Sequence, residues 1–179
     1  MRTLTVKDTG PSFEEGWQEL EISKAKYDSY NDLNYIEVWF KGFPESIKLR
    51  IYEKKAKDGE EFAIGRLFRF ANAGITESLE GTDGSKVLKI DDSAEVLEGS
   101  KINVLFYKND RGYMEIYPRI APTAFENAAD KFTESDVKYW KETADKAFKA
   151  RPTKDTSNGF VSSSSGAPQF DSSSEDVPF

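Results

Sequence analysis

Between Tyr35 and Lys54 the chain alternates apolar and polar residues with a period of two, and this limits the fold more than any other feature. Ile36, Val38 and Phe40 fall on one side, and Tyr35, Glu37, Trp39 and Lys41 on the other. A pleated strand, whose successive side chains point to opposite faces, gives each set a single environment. Gly42-Phe43-Pro44-Glu45 reads as a turn. Beyond it Ile47, Leu49 and Ile51 alternate with Lys48, Arg50, Tyr52 and Lys54. Two such runs across a short turn specify an antiparallel hairpin with one apolar face and one polar, ring-bearing face.

The same reasoning extends outward from the hairpin. Trp17 to Lys26 predicts a preceding strand, with Leu20 and Ile22 alternating against Glu19, Glu21 and Ser23, and Asp28 to Asn34 predicts the turn that follows it. From Glu60 the period changes: Ile64, Leu67, Phe68, Ala71 and Ile75 fall at helical spacing, with a stop at Gly74. Val87 to Ile90 predicts a short strand and Asp92 to Leu97 a single helical turn. Lys101 to Lys108 and Tyr113 to Ile120 predict a second hairpin around Asn109-Asp110-Arg111-Gly112, with Ile102, Val104, Phe106, Met114, Ile116 and Ile120 inward. Thr133-Glu134-Ser135-Asp136 has the form of a capping box, with Asp in place of Glu or Gln, and opens a helix with Val137, Trp140, Ala144, Ala147 and Phe148 on one stripe. Trp17 and Trp140 are expected in the core.

Three strands, a helix, further strands and a C-terminal helix make a mainly β chain with some α. That order matches an OB-fold-like antiparallel barrel, which carries a helix between its third and fourth strands. An SH3-like barrel or an irregular antiparallel sheet is the alternative. The expected organisation is a domain over 1–130, a C-terminal helix packed on it over 131–150, and a Ser-rich acidic tail over 151–179. In the tail Ser157, Ser162 to Ser165 and Ser172 to Ser174 dominate and Pro152, Pro168 and Pro178 interrupt. Such a composition buries too little apolar surface to offset its ordering entropy, which predicts a disordered tether reaching about 30 Å.

Composition removes most chemistry. With no cysteine and no histidine the chain has no disulfide, Cys/His zinc site, thiolate nucleophile or imidazole base. Asp91-Asp92, Glu14-Glu15 and Glu60-Glu61 are the carboxylate doublets a divalent cation would need, but neighbours on a strand face opposite ways and do not chelate together. Gly81-Thr82-Asp83-Gly84-Ser85-Lys86 lacks the spacing of a phosphate loop and reads as a turn. A binding protein without metal or cofactor is therefore expected, not an enzyme. The N-terminal ten residues are polar, and no apolar run approaches membrane-spanning length. A soluble cytoplasmic protein is expected, with homo-oligomerisation left open.

What the polar face of the hairpin offers is a mixture of rings and cations: Tyr35, Trp39, Lys41, Lys48, Arg50, Tyr52 and Lys54. Tyr107, Tyr113, Tyr117 and Arg119 continue it on the second hairpin, and the two pairs together predict one continuous platform. Unpaired bases stack on ring faces without regard to sequence while neighbouring cations hold the phosphates, so single-stranded nucleic acid is the ligand this chemistry fits. The competing structural reading places the rings under the C-terminal helix or against a partner. The competing functional one is a carbohydrate- or protein-binding β module with a solubilising tail. The net charge of −7, from 25 Lys and Arg against 32 Asp and Glu, favours that rival and opposes duplex wrapping.

The final residues decide between them. Phe170-Asp171-Ser-Ser-Ser-Glu175-Asp176-Val177-Pro178-Phe179 places an acidic cluster before a short apolar tip, behind a Ser/Gly/Pro tether and a β-rich aromatic body. In this the chain resembles the phage and bacterial single-stranded DNA-binding proteins, whose tails typically end Asp-Asp-Ile-Pro-Phe; Glu175 and Val177 are the departures. The resemblance covers the tail and the general architecture. It implies a protein that protects unpaired DNA in replication, recombination and repair, in a host cytoplasm if phage-encoded. It also implies that Asp171, Glu175, Asp176, Val177, Pro178 and Phe179 recruit polymerase, primase, helicase or nuclease. The tip has its own physical logic, since a terminal ring fills an apolar pocket while its α-carboxylate pairs with a cation.

Overall fold

The architecture follows from one long strand. Strand β1 (Gly16–Tyr30) has 15 residues because its two halves belong to different pairings. In the computed structural model, which describes residues 3–5 and 14–152, its first half runs antiparallel to β6 (Lys101–Lys108), from Gly16 opposite Phe106 to Glu21 opposite Lys101. Its second half pairs antiparallel with β2 (Leu33–Phe40), from Ile22 opposite Phe40 to Tyr30 opposite Leu33. Ser23 is the extra residue of a bulge between the Ile22–Phe40 and Lys24–Trp39 pairs. A bulge adds local twist and bends its strand.

Strand β3 (Lys48–Tyr52) adds outside β2, and β7 (Met114–Ala121) outside β6, giving the order β3-β2-β1-β6-β7. The two outer strands approach each other, so the sheet curls into an antiparallel, OB-like half-barrel. Helix α1 (Ala63–Phe70) follows β3. A separate hairpin of β4 (Ile75–Glu80) and β5 (Lys86–Ile90) leads to a 3-10 turn at Ala94–Leu97. Two-residue strands β8 (Phe125–Glu126) and β9 (Lys131–Phe132) precede helix α2 (Glu134–Lys149).

Inside the curl lie the apolar sets that the alternation predicts: Ile36, Val38 and Phe40, then Leu49 and Ile51, then Ile102, Val104, Phe106, Ile116 and Ile120, closed by Leu67, Phe68 and Phe70 of α1 and by Leu97. The capping box is present, with the Thr133 hydroxyl accepting from the Asp136 amide and the Asp136 carboxylate accepting from the Thr133 amide. No helix among the described residues is long and apolar enough to cross a membrane.

Several expectations are corrected. The segment from Asp28 is strand as far as Tyr30, and the turn shrinks to Asn31 and Asp32, with φ of 49° and 62°. Two left-handed residues match the twist of a tight hairpin, and Asn and Asp tolerate that conformation best after Gly. Ile75 belongs to β4, opposite Ile90, and not to the helical stripe. The break lies at Asn72 and Gly74, both at positive φ, where a Cβ on Gly74 would collide with the Asp91 carbonyl oxygen. Neither tryptophan is fully in the core. Trp17 is half-buried and donates from Nε1 to Asp145 Oδ1 of α2 at 2.9 Å, and Trp140 meets Phe70 edge-on at the core margin, 5.0 Å between centroids.

Candidate nucleic-acid interface

The bulge at Ser23 decides what the outer face of the first hairpin carries. Beyond it, Ala25 and Tyr27 stand opposite the inward Val38 and Ile36, and Lys24, Lys26 and Asp28 stand opposite Trp39, Glu37 and Tyr35. On the other side of β2, Lys48, Arg50 and Tyr52 stand opposite Trp39, Glu37 and Tyr35. The outer face of β1-β2-β3 is thus three transverse rows: Lys24-Trp39-Lys48, Lys26-Glu37-Arg50 and Asp28-Tyr35-Tyr52. Tyr30 and Leu33 extend it toward the hairpin tip, exposed at 64% and 54%.

In the first row Lys24 Nζ and Lys48 Nζ lie 5.2 and 5.7 Å from the Trp39 ring centroid. The indole Nε1 donates to the Glu45 carbonyl at 3.1 Å, which fixes the ring plane. In the third row Tyr35 and Tyr52 meet edge to face at 5.3 Å, and the Arg50 guanidinium sits over Tyr35 at 4.4 Å. Arg50 also donates to the Tyr52 hydroxyl at 3.4 Å. Between these rows lies Glu37, only 6% exposed, accepting from Arg50 at 2.6 and 3.1 Å and from Lys48 at 2.7 Å. Burial alone would raise its pKa, but the bonds from Lys48 and Arg50 outweigh that and hold it below the usual carboxylate range. The bond from Glu37, followed by that with Tyr52, pushes Arg50 further up.

The predicted residues divide by position. Trp39, Lys48, Arg50 and Tyr52 come together on this face, half-buried. Tyr35 joins them but is 6% exposed; it floors the site beneath Arg50 and is not itself an open stacking ring. Lys41 is exposed at the rim, 3.7 Å from Glu21. Lys54 lies past the end of β3, exposed, where its amide donates to Glu61.

The second hairpin does not continue the platform. Phe148 of α2 packs 5.3 Å from both Tyr107 and Tyr117, and Arg151 stacks on Phe148 at 3.6 Å and over Tyr107 at 4.6 Å. Tyr117 is buried. Tyr107 donates to Glu115 at 2.6 Å; burial, then that carboxylate, pushes its pKa up to about 12. Tyr113 is exposed at the β6-β7 turn and Arg119 is half-buried. The helix therefore covers the outer side of β6-β7 and leaves that of β2-β3 open. Asp171, Glu175, Asp176, Val177, Pro178 and Phe179, which the sequence leads one to expect as partner-binding residues, lie outside the described residues.

Lys24, Lys26 and Tyr30 also lie on this face, where the alternation of β1 does not place them. Alternation phased on Leu20 and Ile22 puts Lys24 and Lys26 on the inward side, and only the bulge inverts them. No group of three or more carboxylates among the described residues is placed to hold a metal ion. The chain matches no protein-family model, no curated protein and no solved structure.

Proposed function

We propose that the protein binds single-stranded DNA across the outer face of β1-β2-β3 and recruits replication and recombination enzymes through its acidic C-terminal tip. One observation carries the reading: in an acidic chain, Lys24, Lys26, Lys48 and Arg50 gather on one open sheet face around Trp39, Tyr35 and Tyr52. Stacking on Trp39 and Tyr52 is indifferent to base identity, and the flanking cations track a phosphate backbone. Oligonucleotides bind OB-folds on the same region of the barrel, the face of its second and third strands. The tip, from Asp171 to Phe179, supports the recruiting role by its sequence: acidic residues steer it to basic surfaces and Phe179 offers an apolar anchor.

The test is a titration of the full chain with oligo(dT), followed by tryptophan fluorescence. Quenching that weakens with added salt, and that disappears in Trp39→Phe, supports the reading. A carbohydrate- or protein-binding module would show no quenching. Equal shifts of single- and double-stranded oligonucleotides in a gel would place the affinity in the phosphates alone.

A further inference from the structure

Lys48 and Arg50 are the central cations of the ring-bearing face, and one carboxylate already engages both. Glu37 Oε1 lies 2.7 Å from Lys48 Nζ and 2.6 Å from an Arg50 terminal nitrogen. The Glu37 side chain is 8% exposed, against 35% and 38% for the cations. The acid therefore lies against the sheet, and the cations lean over it with their far sides in solvent. An oxyanion gripped by a lysine and by the Nε–Nη2 edge of an arginine is also the arrangement in which a phosphate oxygen is held.

We infer that Lys48 and Arg50 form a phosphate-binding pair that Glu37 keeps occupied, an internal anion that limits how tightly this face holds a nucleic-acid backbone. The inference rests on the proposed nucleic-acid reading of the face and adds to it the residue that sets its strength.

The donors show why the limit is large. Arg50 spends Nε and Nη2 on Glu37 and Nη1 on Tyr52, so the fork that would grip a phosphodiester in two parallel bonds is turned inward. Lys48 meets Glu37 through a rotating ammonium that carries three donors. A phosphate arriving from solvent meets two cations of which one charge is already cancelled, and it sits near a carboxylate of its own sign. Such binding is weak and exchanges quickly, which suits a protein that must move along a strand and be displaced from it.

The opposite role is equally specific. If Glu37 served to position Arg50 over Tyr35, its removal would weaken binding. Glu37→Gln keeps the shape and an acceptor oxygen, and the cations it releases are exposed enough to be hydrated. Glu21→Gln makes the same charge change at the rim, where Glu21 holds Lys41 at 3.7 Å. Full-chain protein and both variants are titrated against labelled oligo(dT) over a salt series, with thermal unfolding confirming that each is folded.

Glu37→Gln is expected to bind about tenfold tighter at low salt. Its plot of log affinity against log salt should steepen by about 0.7–1.4, one to two further phosphates at roughly 0.7 each. Glu21→Gln should stay within about twofold of the wild type, since exposed charges couple weakly. Unchanged or weaker binding by Glu37→Gln, or an equal gain in Glu21→Gln, overturns the inference while wild-type binding leaves the interface standing. No binding by the wild type overturns both. A second arm leaves Glu37 in place: Lys48→Ala should flatten the salt slope less than Lys26→Ala, and the reverse order contradicts the pairing.

Discussion

Asp130, like Glu37, is a nearly buried carboxylate shared by two cations, and the pair of sites shows what such groups do for stability. Asp130 is 4% exposed and accepts from Arg69 of α1 at 2.8 Å and from Lys86 of β5 at 2.9 Å, tying three separate segments together. Burial raises its pKa, but the bonds from Arg69 and then Lys86 prevail and lower it. A carboxylate whose folded pKa lies below its unfolded one contributes stability that is fully present above the unfolded value and is lost as pH falls through the folded one. Removing one partner of a buried pair costs about 3–5 kcal/mol; because Arg69 and Lys86 keep 39% and 44% exposure and regain water, about 1–2 kcal/mol is expected for Asp130→Asn near pH 7. Urea unfolding should show that gap closing below about pH 4; a gap independent of pH would mean that packing, not charge, is lost. In the proposed interface Trp39 acts through its ring. Trp39→Ala should weaken oligo(dT) and mixed-sequence binding alike by about 1–3 kcal/mol, with far-ultraviolet dichroism unchanged.

At the scale of elements, α2 decides which half of the sheet is open. Its cap is Thr133, and Thr133→Ala should cost about 1 kcal/mol of unfolding free energy without altering oligonucleotide affinity, since the helix covers β6-β7 and not β2-β3. A matching loss of affinity would show that the second hairpin belongs to the interface after all. The helix itself is legible in the sequence, because its cap and its stripe are local features. What it covers is not, because a stripe records that a face is apolar and not which strand it meets; Tyr107 and Tyr117 look solvent-facing until Phe148 lands between them. Alternation likewise reveals β2, β3, β6 and β7 and the residues they bury. It fails at Ser23, where one unpaired residue reverses the phase and turns Lys24 and Lys26 outward. It also fails at β4, whose six residues include four polar ones with little burial to impose a pattern. Glu37 was visible as an outward residue, but its partners come from the β2-β3 register, and its depth from the two long side chains folded over it.

For the whole molecule the question is how a chain of net charge −7 could hold a polyanion. Lys24, Lys26, Lys48 and Arg50 are concentrated on one sheet face, and at about 0.1 M salt charges more than roughly 10 Å away are largely screened. On the proposed reading the local cations therefore govern affinity at ordinary ionic strength, and the acidic remainder matters mainly when salt is low. Residues 170–179 hold three of the acids, Asp171, Glu175 and Asp176, and on the proposed reading these compete with DNA for the cationic face. Deleting 170–179 should therefore strengthen binding to oligo(dT) about three- to tenfold at roughly 50 mM salt and have almost no effect by roughly 300 mM, because competition between two anions for one cationic face is itself electrostatic. Fluorescence titrations at the two salt concentrations measure this directly. Affinity and salt slope that are identical with and without the segment would show that its acids do not compete for the face.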